Sequence, residues 1–127
     1  VVKSAIENGI VKYEGDADAM REYIHVVDAA RASLVALNDE FNNESVVLTG
    51  QEPIRVLDML KMLTEILGIS KDKVEFVENY HSGHYVRTPY AYQPKLGRKY
   101  IPPMHVDLGQ GLLEVIREIS LQRSLQQ

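Results

Sequence analysis

The stretch "REYIHVVDAARASLVAL", residues Arg21 to Leu37, decides how this chain is organised. A cation and an anion, Arg21 and Glu22, stand directly before Tyr23 to Val27, whose β-branched and aromatic character reads as a strand. That strand runs into a helix without a loop. Asp28 is the expected helix cap, accepting from the free N–H groups of the first turn. Val27, Ala30, Leu34 and Leu37 then share one helical face, the face expected to meet a core. A cation at the rim of a core has two explanations. The planar fork of Arg21 suits phosphate. It also suits a solvated rim charge paired with Glu22 or Asp18. His25, on the same strand face as Tyr23, reads as a satisfied core histidine, and Asp28 as a cap with no catalytic part.

Working outward, "VVKSAIENGI" reads as a helix already under way and closed by Gly9, as in a piece cut from a longer protein. "IVKY" is a short strand and Glu14 to Met20 a polar loop. Downstream, "SVVLTG", Ser45 to Gly50, is a buried strand ending at a turn signal. Pro53 suits the first turn of a helix, where its missing N–H costs nothing. Val56, Leu60, Leu63 and Leu67 form an apolar helical stripe closed by Gly68. "KVEFVE" alternates as a strand, and Leu112, Val115, Ile116 and Ile119 mark a last helix after Gly109 and Gly111. The tail "QRSLQQ" is expected to fray. Strands alternating with helices predict an α/β class.

Composition is that of a globular chain: 127 residues, 45% hydrophobic and 25% charged. That length buries about two-thirds of its unfolded surface in one domain. The net charge of −4 argues against a broad nucleic-acid face, which needs a basic excess. There are no cysteines, so disulfides and thiolate metal sites are excluded and a reducing cytoplasm is compatible. No apolar run reaches the length of a membrane span, and no signal peptide is visible.

The sequence has no G-x-G-x-x-G, no Tyr-x-x-x-Lys, no G-x-S-x-G and no H-E-x-x-H. His81 and His84 have no carboxylate pattern beside them and read as polar loop histidines, so no metal site is expected. Asn79 to Pro103 has no period, and it holds five tyrosines and four prolines. "HYVRTPYAYQPK" mixes Arg87 and Lys95 with Tyr85, Tyr90 and Tyr92. Such a loop can stack on a base and hold phosphate, or be a proline-stiffened cover for the core edge. Loops of this length inside compact domains are often functional.

"GDADAMREYIHVVDAARASLVAL" resembles the NAD-dependent nucleotide-sugar epimerase/dehydratase family, the extended short-chain dehydrogenase/reductases (UDP-glucose 4-epimerase-like). Its segment R-[DE]-[YF]-[IV]-H-V-x-D-[LAV]-[AV] is matched by Arg21, Glu22, Tyr23, Ile24, His25, Val26, Asp28 and Ala30. "SVVLTGQEPIRVLDMLKMLTEILG" resembles the strand, turn and helix that follow. The resemblance covers about residues 1 to 120.

The resemblance implies a parent enzyme with an N-terminal Rossmann domain, which binds NAD or NADP and carries the catalytic Tyr-x-x-x-Lys. A smaller C-terminal part binds the nucleotide diphosphate sugar. Residues 1–127 look like that C-terminal part with some neighbouring α/β elements. No catalytic residue and no cofactor site are then expected in this fragment. Arg21 corresponds to a diphosphate contact, Tyr23 belongs beside it, and the strand Val11 to Tyr13 lines the base, which brings in Tyr13. Arg87 is the candidate for a second phosphate contact. Two departures stand out. Arg55 occupies a helix-capping position where the family often has Ser or Thr, and Thr88, Pro89 and Tyr90 do not complete the usual R-x-x-D after Arg87.

Three functions follow from this reading. The first is a substrate-binding fragment of a nucleotide-sugar epimerase or dehydratase, inactive alone. The second is a binding or scaffolding member without catalysis. The third is an unrelated α/β interaction domain. Removing a Rossmann domain is expected to bare apolar surface on Val1 to Ile10 and along a sheet edge, and so to promote self-association.

Overall fold

The computed structural model describes residues 1–77 and 97–125. In chain order the elements are α1 (Val2–Asn8), β1 (Val11–Glu14), β2 (Met20–Arg21), α2 (Val26–Val35), β3 (Val46–Leu48), β4 (Ile54–Arg55), α3 (Val56–Leu67), β5 (Val74–Val77), β6 (Arg98–Tyr100) and α4 (Leu108–Ser124). Single 3₁₀ turns lie at Asp39–Phe41 and Lys71–Lys73. Among the described residues the strands form three pairs. β1 runs parallel to β5 with Tyr13 opposite Phe76. β2 is antiparallel to β4 with Arg21 opposite Ile54. β3 runs parallel to β6 with Leu48 opposite Tyr100. Short strands alternate with helices, so the α/β expectation stands.

The core forms where α1, β1 and α3 meet. Ala5, Val11, Ala19, Val56, Leu60 and Leu63 are buried together, with Tyr13, Leu67 and Ile116 packed against them. The α3 stripe therefore does what its spacing predicts. Gly9 and Gly68 end α1 and α3 in the left-handed conformation, at φ 66° and 65°, where a Cβ is costly. Arg55 sits at the N-cap of α3 but gives no side-chain cap. The carbonyls of Ala17 and Ala19 take the N–H groups of Leu57 (3.0 Å) and Val56 (2.9 Å) in its place. The polar loop after β1 thus satisfies donors that a helix start leaves open, and it fixes β2 beside α3.

Several expectations are corrected. The strand is not Tyr23 to Val27: it ends at Arg21, and residues 22–25 carry no regular structure. His25, not Asp28, is the N-cap of α2, its Nδ1 accepting from Val27 N–H at 3.4 Å. Asp28 is buried inside the helix, and its Oδ2 accepts from Val106 N–H at 2.7 Å, which ties α2 to the chain entering α4. Pro53 precedes β4 and does not open a helix. Residues 98–100 of the aperiodic stretch form β6. Gly109 and Gly111 lie inside α4, which Asp107 caps by accepting from Gly109 and Gln110 N–H. That helix runs on to Ser124, through the first half of the tail expected to fray.

The largest difference lies on α2. The residues it buries are Asp28 and Ala32. The expected core face is bare instead, with Leu34 69% and Leu37 78% exposed. No described element covers it. By contrast α1, expected to be bare, buries Ala5 and packs on α4, β1 and α3. Among the described residues no helix is long and apolar enough to cross a membrane.

Candidate functional site

Arg21 closes β2, and its guanidinium Nη1 donates to the carbonyl of Met20 at 2.8 Å. Both acids expected to pair with it are engaged elsewhere. Asp18 lies 3.5 Å from Arg55, which also grips Asp58 through Nε at 3.0 Å and Nη2 at 3.1 Å. Glu22, with a side chain 3% exposed, takes Lys99 Nζ at 2.8 Å and the hydroxyl of Thr49. None of the ion pairs among the described residues includes Arg21. The rim-pair explanation with Glu22 or Asp18 is therefore not what the structure holds.

Tyr23 stands close enough to Arg21 and Tyr13 to feel the charge of the one and the phenol of the other. Burial pushes the Tyr23 phenol above the usual tyrosine value, the Tyr13 phenol pushes it further, and the Arg21 charge pulls it back. The Tyr23 hydroxyl then stays protonated at neutral pH and can donate beside a fixed cation. Tyr13 is braced on β1 by the edge of Phe76 on β5, with ring centroids 6.1 Å apart at 69°. Strand pairing puts these two rings side by side. Three of the four expected site residues are thus brought together. Arg87, the fourth, lies outside the described residues, as do His81, His84, Tyr85, Tyr90, Tyr92 and Lys95.

The arrangement sits toward the C-terminal ends of both parallel strand pairs. Tyr13 is next to last in β1, Thr49 follows β3 directly, and Lys99 is on β6. In open α/β structures that end of the strands is where ligands lie. Beyond Tyr23 a cleft of about 560 Å³ runs between the start of α2, residues 51–54 and the first turns of α4. Ile24, Met62, Leu108 and Leu112 give it an apolar wall, and His25, Glu52 and Asp107 stand at its edge. His25 Nε2 lies 3.2 Å from Glu114 Oε2 on α4. His25 is accordingly a largely buried bridge between the two helices. No group of three or more metal-ligating side chains occurs among the described residues.

Sequence reading missed Lys99, Thr49 and Gly50. The only local signal was Gly50 at the end of an apolar run, because Lys99 meets Glu22 across 77 residues of chain.

The raised ionisation of Tyr23 has a measurable consequence. Between the unfolded value of about 10 and the higher folded value the native state binds more protons, so stability falls as pH rises through that window. Tyr23→Phe is expected to flatten the alkaline fall, measured by urea unfolding at a series of pH values. An unchanged slope would mean that Tyr23 is not held as described.

The fold described here, short strands alternating with helices, is found in a part of a larger solved enzyme. The solved structure that shows it is dTDP-glucose 4,6-dehydratase from Bacillus anthracis in complex with NAD, with a TM-score of 0.71 and 20% identity. The match takes in 97% of this chain and 39% of that chain, so this chain spans well under half the length of that enzyme. At this identity the likeness is one of fold. No family model matches the sequence, and no curated protein does.

Proposed function

We propose that this chain is the C-terminal, substrate-binding part of an NAD(P)-dependent nucleotide-sugar epimerase or dehydratase, inactive without its cofactor domain. The observation that carries the reading is the state of Arg21. It is a cation whose two expected partner acids are occupied by Arg55 and Lys99, with the Tyr23 phenol beside it. That pair offers a guanidinium fork and a neutral donor to a diphosphate. The motif in Arg21 to Ala30 and the fold likeness to an NAD-bound dehydratase support the same assignment. Arg21 and Tyr23 hold the diphosphate, Tyr13 lines the base, and Arg87 is assigned a second phosphate contact. The cytoplasm is the compartment that fits a cysteine-free chain of this kind.

The described residues of this chain do not offer a cradle for NAD. β1 leads through a polar loop to β2, and β3 leads through Gly50 toward β4. Neither opens a helix through a glycine-rich turn, the device that cradles a dinucleotide pyrophosphate. The cofactor and its hydride chemistry therefore belong to the N-terminal domain of the parent. Titration should show UDP or a related nucleoside diphosphate bound by this chain and NADH not bound. Sub-micromolar NADH binding would contradict the assignment.

The bare apolar face of α2 and the outer edge of β3, beside which α2 packs, form the surface we assign to that missing domain. Without it the face is expected to drive self-association, and Leu34→Glu to restore a monomer by light scattering. A monomeric wild type at high concentration would count against this. The same face favours the second reading, a non-catalytic nucleotide-sugar-binding or protein-interaction domain. That reading predicts a parent lacking a glycine-rich loop and Tyr-x-x-x-Lys.

A further inference from the structure

We propose that Glu22 is a positioning residue for the anion site: anchored to Thr49 and Lys99, it holds the Arg21–Tyr23 segment in its ligand-ready geometry. This rests on the diphosphate reading of Arg21 and concerns how the cation is presented.

The segment needs an outside anchor. β2 is two residues long and ends at Arg21. Residues 22–25 have no ladder of their own before α2 begins. Among the described residues the guanidinium of Arg21 is tied only to the adjacent carbonyl of Met20, a contact that moves with the segment and cannot locate it. Glu22 supplies the external reference. Its carboxylate is almost fully enclosed and meets two other elements at once: Thr49, itself buried just past β3, and Lys99 on β6. The next residue, Tyr23, is pressed on Gly50, where a Cβ would lie 1.9 Å from the Tyr23 carbonyl oxygen. Strand end, carboxylate and glycine together fix three consecutive residues, Arg21 against β4 and the next two against the β3–β6 pair and the turn after β3.

The chemistry explains why the anchor is ionic. A buried carboxylate must be paired and hydrogen-bonded, so Glu22 has one favourable position, set jointly by a lysine and a hydroxyl. An ion pair of this kind adds little net stability compared with a well-packed apolar pair, but it can specify a single geometry. Engaging Glu22 with Lys99 also leaves Arg21 available for an external anion. A binding cation displaced by even about 1 Å loses much of its contact.

The test uses three variants of the chain, with Arg21→Ala beside them. Glu22→Gln/Lys99→Met removes both charges, so no buried charge is left unpaired. Thr49→Val removes the hydroxyl alone, and Lys99→Arg keeps the pair. Two quantities are read: calorimetric affinity for UDP, and the ¹⁵N relaxation of the Arg21 Nε–H group in ligand-free protein. The double variant is expected to keep the wild-type melting temperature, bind UDP about tenfold more weakly or worse, and show a mobile Arg21 Nε. Thr49→Val is expected to move both readouts the same way, so the inference stays testable should the double variant fail to fold. Lys99→Arg is expected to restore both. A double variant or Thr49→Val with wild-type affinity and a rigid Arg21 overturns the inference, and so does Lys99→Arg as weak as the double variant. If Arg21→Ala binds UDP like wild type, the diphosphate reading fails instead, and the ligand-free relaxation still decides whether Glu22 positions Arg21.

Discussion

Gly50→Ala is expected to destabilise the protein by about 3 kcal/mol, at the upper end of the usual overpacking cost. The added methyl would stand 1.9 Å from the carbonyl oxygen of Tyr23 and 2.8 Å from its carbonyl carbon. These are backbone atoms, so no rotamer change relieves the collision, and either Tyr23 or the end of β3 must move. The comparison that isolates the cause is Gly68→Ala. There the left-handed φ of 65° penalises a side chain while the space around it is open, and the cost is about 1 kcal/mol. Urea unfolding of the two variants should rank Gly50→Ala clearly below Gly68→Ala. Equal stability would mean that the close approach of Gly50 to Tyr23 does not exist in solution.

That contact also marks where sequence reasoning stopped. Elements whose order comes from local periodicity were legible: the stripe Val56, Leu60, Leu63 and Leu67, and the glycine ends at Gly9 and Gly68. Tyr23 to Val27 misled because its residues favour strands, whereas His25 caps a helix through its ring nitrogen and Asp28 is drawn inward by Val106 N–H. The Val27, Ala30, Leu34 and Leu37 face was read correctly as apolar, but its cover is not among the described elements.

β6 escaped because two of its three residues are charged. Arg98 lies 4.8 Å over the Phe41 ring and Lys99 is bound to Glu22, so long-range ion pairing replaces the alternation that a strand usually shows. For the site, Arg21, Tyr23 and Tyr13 could be named from the motif. That Arg21 is left without Asp18 or Glu22 could not be, because it depends on Arg55 and Lys99, which are distant in sequence.

Arg21→Ala is expected to weaken nucleoside diphosphate binding by about 1.5–3 kcal/mol, the worth of a charge-assisted contact, or about ten- to a hundredfold. Stability should change little, since among the described residues Arg21 gives up only a side-chain bond to the neighbouring Met20 carbonyl. Arg21→Lys should recover part of the loss, because an ammonium matches the charge but not the two-pronged geometry of a guanidinium. Screening should weaken the wild-type interaction as salt rises and leave Arg21→Ala less sensitive.

Calorimetric titration of wild type and Arg21→Ala with UDP, dTDP, GDP and ADP, with melting curves taken beside it, tests the central claim most directly. Wild type is expected to prefer one of the four, and Arg21→Ala, still folded, to bind it at least about tenfold more weakly. A folded Arg21→Ala that binds that nucleotide as well as wild type would contradict it, and so would an Arg21→Ala that unfolds, since Arg21 would then be a structural partner and not a ligand contact.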